Sequence, residues 1–310
     1  MTVVTVVCWG VAGAAVLVVA ASYVCALMIT SYTAAMEFKI TPRDLGVSYE
    51  EFTVHGARGA EIACWFMRAA QSKGVVIASH GVADCKRGIL PALVPLVHAG
   101  YSLVVYDMRH HGESTGRECT IGFWETEDLL RLTDHVKSVY ARAEPLCYWG
   151  FSLGAVVSLL AAARNHEIVG VVAQSPFVSM REVVSYYSWR FYFVPAWPVA
   201  RLALWWVRLR TGARHEEVDL RVAARRLKHT PVLLLGSPDD PQVPLAWLER
   251  IHELIGPQSQ LLTGPYGHHD GTVLAEDVQD SQADLDHAIS FFTRITEQYH
   301  HARPVAEISG

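Results

Sequence analysis

The fold of this chain is decided by the stretch Leu146-Cys147-Tyr148-Trp149-Gly150-Phe151-Ser152-Leu153-Gly154-Ala155. Its first half is a short apolar run, typical of a buried parallel strand, and the small residues of 155–163 predict a helix directly after it. Gly150-x-Ser152-x-Gly154 lies between them, and this pattern holds a serine hydroxyl on a sharp turn, clear of the sheet. The alternative interpretation is a chance match to the motif. Such a match is less frequent when a strand must precede the motif and a helix must follow it. The stretch therefore predicts an α/β fold with Ser152 as a nucleophile.

The chain alternates predicted strands and helices on both sides of this stretch. That alternation predicts a mainly parallel, doubly wound sheet with helices on both faces. Further strands are predicted over 49–55, 61–67, 74–79, 101–106, 168–173, 231–235 and 260–263. Further helices are predicted over 89–98, where two prolines make the helix irregular, and over 123–140, 245–255 and 281–299.

An aromatic-rich segment, about 177–222, interrupts the alternation. It contains a helical stretch, 201–208, that is apolar around most of a turn. One interpretation is a helical cap over Ser152 that supplies an apolar acyl pocket and rests on a bilayer with tryptophan at the headgroup level. The other is an ordinary packed helix with buried tryptophans. Both interpretations stay open at this point, because they could hold for different faces of the helix.

The first thirty residues carry a long apolar run. No charged side chain occurs in 3–29, which is long enough to cross a bilayer. A cleaved signal peptide has a basic start and a shorter apolar core, so 1–30 is predicted to be an uncleaved transmembrane anchor and 31–48 a linker. The positive charges of Lys39 and Arg43, after the apolar run, favour a cytoplasmic location for the catalytic domain, but the side of the membrane stays open. The hydrolase domain is predicted over 49–299, followed by a flexible tail, 300–310.

Charge and cysteine usage exclude several classes of function. The formal net charge is −5, so there is no basic field for nucleic acid. The six cysteines are scattered without a CxxC pair, which argues against a disulfide framework or a structural zinc site. The histidine doublets are not expected to bind a metal, since adjacent histidines rarely aim at one ion.

Two late strands are each followed by residues that could complete a catalytic triad. A nucleophilic serine needs a base, and the base needs an acid that orients it. Asp239 and Asp240 follow the strand at 231–235, and His268 follows the strand at 260–263. The carboxyl ends of parallel strands meet at one edge of a sheet, where such folds place their ligands. The order serine, acid, histidine is the order of strand-topped hydrolases.

At this point the chain resembles the α/β-hydrolase superfamily, and most closely the branch of serine aminopeptidase-like and monoacylglycerol-lipase-like hydrolases. The resemblance covers roughly 47–299 and implies Ser152 as nucleophile, His268 as general base and Asp240 as orienting acid. It also implies an oxyanion hole from the backbone N–H groups of Val82 and Leu153. The matching motifs are His80-Gly81, Asp107-x-Arg109-x-x-Gly112-x-Ser114, Gly150-x-Ser152-x-Gly154, Asp240-x-x-Val243-Pro244 and Gly267-His268-x-Asp270.

The acid and the base each have an alternative at the next position. Asp239 fits a Gly-x-x-Asp count from Gly236, whereas Asp240 fits the Asp-x-x-Val-Pro pattern immediately before a helix. Asp240 is favoured and Asp239 stays the alternate acid. His268 is favoured over His269 because of the preceding glycine.

Three other polar residues are expected to be structural. His80 is expected to shape the oxyanion turn. Asp107 and Arg109 are expected to pair with each other under the rim of the site.

Together these features predict a membrane-anchored serine hydrolase that cleaves carboxylic ester bonds through an acyl-enzyme. The expected partners are an apolar acyl substrate and the membrane, with no nucleic acid, no metal and no cofactor. The alternatives are a serine aminopeptidase or amidase on the same triad, and a non-catalytic binding protein with the same fold.

Overall fold

An eight-stranded sheet forms the centre of the protein in a computed structural model that describes residues 2–33, 39–264 and 278–302. The strands are β1 (Glu50–His55), β2 (Glu61–Met67), β3 (Val75–Ser79), β4 (Ser102–Tyr106), β5 (Leu146–Phe151), β6 (Ile168–Gln174), β7 (Val232–Gly236) and β8 (Ser259–Thr263). In space they follow the order β1-β2-β4-β3-β5-β6-β7-β8. Pairing is antiparallel between β1 and β2 and between β2 and β4, and parallel everywhere else.

The chain reverses its direction across the sheet at β3. From β3 it passes to β4 on one side and then to β5 on the other. Such a reversal leaves a crevice at the carboxyl ends of the two strands on either side of it, here β3 and β5. The loops that follow β3 and β5 therefore meet, and they carry the predicted oxyanion turn and Ser152.

The described residues also form several α-helices. They are α1 (Val3–Thr30), α2 (Lys86–His98), α3 (Phe123–Val139), α4 (Leu153–Ala162), α5 (Met180–Arg190), α6 (Arg201–Thr211), α7 (Leu220–Ala223), α8 (Leu245–Ile255) and α9 (Val278–Ala302). Helices α5, α6 and α7 lie between β6 and β7. We call the segment 177–223, which contains them, the cap; it corresponds to the predicted segment of about 177–222.

The core consists of two apolar layers, one on each face of the sheet. Every side chain of β3 is buried, because a central parallel strand is covered on both sides. One layer contains Leu129 and Leu132 of α3 together with most of α4. The other contains Leu90 of α2 and Phe292 of α9. The mainly parallel, doubly wound sheet predicted from the sequence is thereby confirmed.

Helix α2 differs from its predicted form. It begins at Lys86, three residues before the predicted start, and continues through Pro91 and Pro95 to His98. Burial of one face of the helix, which includes Leu90 and Leu93, stabilises it. Tertiary packing therefore outweighs the loss of a backbone donor at each proline.

Helix α1 docks against the cap through one face at its carboxyl end. Its buried residues, Ser22, Ala26 and Thr30, are spaced four apart and so share one face. The indole N–H of Trp206 on α6 donates to the Ser22 hydroxyl at 3.2 Å. Among the described residues, α1 is the one helix long and apolar enough to cross a membrane.

Candidate active site

Ser152 lies on a strained turn between β5 and α4. Its φ and ψ angles are 51° and −112°, a conformation that non-glycine residues rarely adopt and that is retained mainly at functional sites. Its backbone N–H donates to the carbonyl of Gln174, the last residue of β6, at 2.8 Å. The sheet therefore fixes the backbone of Ser152 and leaves the side chain to project from the turn.

The two glycines of the motif allow close contact between backbones. A Cβ atom on Gly154 would lie 2.1 Å from the carbonyl oxygen of Ser79, at the end of β3. A Cβ atom on Gly150 would lie 2.2 Å from the carbonyl oxygen of Gly154. Neither position can hold a side chain without moving backbone, so the start of α4 packs directly on β3.

The loop after β3, residues 80–85, lies against the serine turn. We call it the oxyanion loop because it carries Val82, one of the two predicted oxyanion donors. A Cβ atom on Gly81 would lie 3.6 Å from the Cβ atom of Ser152, so this loop and the serine turn are in contact. Leu153 is the first residue of α4, where N–H groups have no partner within the helix. Within the described ranges, the N–H groups of Val82 and Leu153 donate to no other group. Both remain available for an oxyanion.

Two neutral histidines hold the oxyanion loop. His80 is buried and accepts a hydrogen bond from the N–H of Met108 at Nε2, 2.9 Å away. Its Nδ1 lies 2.6 Å from the carbonyl oxygen of Gly81, to which it donates. Burial lowers the pKa of His80 to about 3, so its ring is neutral near pH 7. The expected structural role of His80 agrees with this geometry.

The second of these histidines was missed by sequence reasoning. His111 donates from Nδ1 to the carbonyl of Arg109 at 2.9 Å and accepts from the N–H of Ala83 at 3.3 Å. Burial lowers the pKa of His111 as well. Ala83 has a φ of 60°, so this contact supports a strained residue of the oxyanion loop. No sequence signal distinguishes His111 from the exposed histidines.

The loop after β7, residues 237–244, buries one of the two candidate acids. We call it the acid loop. Asp240 is 7% exposed, and its Oδ1 atom accepts from the N–H groups of Gln242 at 2.8 Å and Val243 at 3.0 Å. Asp239, by contrast, is exposed. Backbone donors thus fix the orientation of the Asp240 carboxylate.

Ser175 connects the acid to the serine turn and was also missed. It follows β6, the strand between β5 and β7, and its hydroxyl donates to Oδ2 of Asp240 at 3.1 Å. Its N–H donates to the carbonyl of Leu235 at 2.8 Å. The preceding residue, Gln174, accepts from the N–H of Ser152. A polar residue directly after a predicted central strand is the signal that could have identified Ser175.

The predicted base lies outside the described residues. His268 and its alternative His269 fall in 265–277, between β8 and α9. The chain leaves β8 beside the acid loop, because the N–H of Gly264 donates to the carbonyl of Gly236 at 3.2 Å.

The predicted pair between Asp107 and Arg109 is wrong. Asp107 instead accepts from the ammonium group of Lys86, with an Nζ–Oδ2 distance of 2.6 Å. Arg109 forms a bidentate pair with Asp128 at 2.7 and 2.8 Å. Each charge has a closer partner on a helix 19 to 21 residues away, so both pairs are buried and both are structural.

The cap contacts the acid loop. Tyr187 of α5 donates from its hydroxyl to the side-chain oxygen of Gln242 at 3.3 Å, and Tyr186 donates to the carbonyl of Pro241 at 3.4 Å.

Across 2–33, 39–264 and 278–302, no cluster of three or more metal-ligating side chains occurs.

The reversed strand order, the strained serine after β5 and the adjoining oxyanion loop define an α/β-hydrolase. Residues 70–229 match the family model described as serine aminopeptidase, S33. The chain belongs to this family. Residues 209–281 also match a model described as TAP-like protein.

Comparison with known proteins supports the same class. The chain is 28% identical over 221 residues to YqkD of Bacillus subtilis, covering 70% of this chain and 72% of that protein. It is 25% identical over 215 residues to human ABHD12B, covering 65% and 57%. An esterase of Pyrococcus furiosus, Pf2001, shares the fold with a TM-score of 0.69 at 21% identity, covering 86% and 98%. An acylaminoacyl peptidase of Pyrococcus horikoshii shares it with a TM-score of 0.59 at 13% identity, covering 80% and 42%.

Proposed function

We propose that this hydrolase cleaves carboxylic ester bonds through an acyl-enzyme formed on Ser152. The observation that carries the proposal is the strained Ser152 beside two available N–H donors, at the same sheet edge as the buried carboxylate of Asp240. An accessible hydroxyl, an oxyanion hole and an oriented acid are the parts that acyl transfer requires.

The proposed reaction has two halves. His268 removes the proton of the Ser152 hydroxyl as it attacks the carbonyl carbon, and Asp240 holds the imidazole in the required tautomer. The N–H groups of Val82 and Leu153 stabilise the oxyanion, each contributing about 3 kcal/mol. His268 then protonates the leaving alcohol. Water, activated by the same imidazole, attacks the acyl-enzyme and releases the acid.

We further propose that α1 is a transmembrane anchor and that the acyl group is apolar. The helix has 28 residues and no charged side chain. Apolar side chains of the cap, including Val183 and Leu204, are buried against the rest of the hydrolase domain.

The competing aminopeptidase or amidase activity would need an acidic group that binds a free amine. The cap positions Arg181, Arg190 and Arg201 are cationic instead.

Hydrolysis assays on the full chain test the proposal. We expect turnover of p-nitrophenyl esters that increases with acyl chain length, and little turnover of aminoacyl anilides. His268→Ala is expected to abolish turnover, whereas His269→Ala, its matched control, should retain most of it. Preference for the anilides would favour the aminopeptidase, and no turnover of either series by the wild-type protein would favour a binding protein.

A further inference from the structure

The cap exposes large aromatic side chains on the side away from the core. Phe193 is 81% exposed, Trp197 74% and Trp189 65%. Large apolar side chains that are exposed together mark contact sites for proteins, ligands or membranes. We call the residues that share this exposure the outer aromatic face; they are Trp189, Phe191, Tyr192, Phe193, Trp197, Trp205 and Leu209.

The same segment has the opposite charge to the rest of the protein. Between Met180 and Arg214 there are six arginines and one acidic residue, Glu182, although the whole chain carries −5. Aromatic rings combined with arginines suit the headgroup region of a bilayer with anionic lipids, because the rings are amphipathic and the cations are attracted by the surface potential. A water-facing surface does not need that combination.

Helix α1 contacts the cap beside this face through its carboxyl-terminal part. Tyr23 packs edge-on against Trp206 of α6 with ring centroids 5.3 Å apart, and the guanidinium of Arg210 lies 5.8 Å from the centre of the Tyr23 ring. Trp206 in turn contacts Trp205 of the outer aromatic face at 4.7 Å. The cap surface is thus continuous with the carboxyl-terminal part of α1.

The free part of α1 has the length of a bilayer core. Residues 3–21 have no buried side chain, and at 1.5 Å per residue they extend about 28 Å. The hydrocarbon core is about 30 Å thick. A helix inserted over this length would bring Ser22, and with it the cap, to the level of the headgroups.

The outer aromatic face also adjoins the candidate active site. Tyr187 and Phe191 pack edge-on at 5.1 Å, and Tyr187 reaches the Gln242 side chain in the acid loop. Tyr32, which follows α1, lies beside Tyr192 and is partly buried. A line of aromatic side chains therefore extends from the end of α1 to the loop that holds Asp240.

We propose that the outer aromatic face rests in the headgroup region of the bilayer that α1 enters, and that the enzyme takes amphiphilic acyl esters from that bilayer. The inference rests on the proposed anchor and the proposed esterase activity. It adds that the anchor and the outer aromatic face together form the membrane contact. This contact holds the candidate active site close to the lipid.

Fluorescence of a single reporter tests the position of the cap. Cys8 and Cys25 are replaced by serine, and the other four cysteines are buried. A fluorophore on Phe193→Cys is then compared with one on Val139→Cys, which is exposed at the end of α3 farther from the cap. Helix α3 begins beside the cap, where the indole of Trp124 donates to the carbonyl of Thr211, so Val139 lies about 22 Å away along the helix.

In phosphatidylcholine vesicles with phosphatidylglycerol, a nitroxide near the lipid headgroups should quench the fluorophore at position 193 several-fold more than the one at 139. Iodide in the water should do the reverse. Equal quenching at both sites would overturn the proposal. Protection of position 193 from iodide without lipid quenching would also overturn it, since a second copy of the chain would then cover the face.

A fluorophore on the native Cys8, in a chain that keeps Phe193, reports insertion of α1 independently. If it is not quenched by lipid, the anchor itself fails and not only the position of the cap.

Catalysis supplies a second readout. The combined variant Trp189→Ser, Phe193→Ser and Trp197→Ser should lose roughly tenfold in kcat/KM on a long-chain ester embedded in vesicles, because membrane binding scales with buried apolar area. Its hydrolysis of p-nitrophenyl acetate in solution should be unchanged, and Val139→Ser should affect neither substrate. An equal loss on both substrates would contradict a membrane role, and absence of p-nitrophenyl acetate hydrolysis in the wild type would instead refute the proposed esterase activity.

Discussion

The serine turn and the cap are neighbouring regions built in opposite ways. Around Ser152, backbone packs on backbone, and Gly154 has no room for a single added carbon. The buried charges of the sheet domain form close pairs, as between Arg109 and Asp128. The cap packs only its inner side and leaves aromatic rings and arginines outside. The geometry of the first region is therefore fixed by the chain itself, whereas the outer side of the second depends on its surroundings.

Glycine substitutions should separate the two regions most strongly. Gly154→Ala forces a Cβ atom against the carbonyls of Ser79 and His80, and we expect a loss of about 4 kcal/mol or more in unfolding free energy, or no folded protein. Gly212, at the end of α6, has a φ of 69°, and its Cβ atom would meet only the end of the Arg58 side chain. Gly212→Ala should cost about 1 kcal/mol. Chemical denaturation measures both, and equal costs would refute the contrast.

The two neighbouring acids after β7 provide the next test. Asp240→Asn should lower kcat by about 10³- to 10⁴-fold, because the imidazole would lose its orienting carboxylate. Asp239→Asn changes an exposed side chain and should leave kcat nearly unaltered. A large loss with Asp239→Asn and a small one with Asp240→Asn would reassign the acid.

Ion pairs offer a smaller contrast between the regions. Asp128→Ala leaves the guanidinium of Arg109 buried without its carboxylate and removes the acceptor for the Ala57 N–H, so we expect a loss of about 3–5 kcal/mol. Glu216→Ala removes an exposed partner of Arg208, 3.3 Å away on the cap, and should cost less than about 1 kcal/mol. Thermal or urea unfolding of both variants measures the difference, and similar losses would count against it.

The smallest effect concerns an acid on the oxyanion loop. Burial raises the pKa of Asp84 from 3.8 to about 6. The folded state therefore binds this proton more tightly than the unfolded state, and the ionised carboxylate reduces stability above pH 6 but not below pH 3.8. Asp84→Asn should raise the unfolding free energy by about 1–2 kcal/mol at pH 8, and the gain should vanish in acid.

The matched control for that measurement is Asp239→Asn, whose side chain is exposed. It should stay within about 0.5 kcal/mol of the wild type at both pH values. A gain from Asp84→Asn that persists below pH 4 would show that the effect is not due to ionisation.

The sheet could be predicted from the sequence because its signals are local. Continuous apolar runs ending in glycine or polar residues located β3 and β5 to within about two residues, and the glycine motif identified the Ser152 turn. The partners of Asp107 and Arg109 could not be predicted in this way. They lie on helices that approach only in the folded chain, and nearness in sequence suggested the wrong pair. His111 could not be predicted for the same reason, since its role consists of a contact with a distant backbone N–H group. Ser175 could have been identified by its position after a predicted central strand, but its contact with Asp240 could not.

The most direct test of the central claim, that Ser152 is the nucleophile, is labelling of the full-length protein with a fluorophosphonate probe followed by peptide mass spectrometry. We predict one modified peptide, with the phosphonyl group on Ser152, and complete loss of labelling in Ser152→Ala. Modification at a different serine, or labelling that survives in Ser152→Ala, would contradict the account.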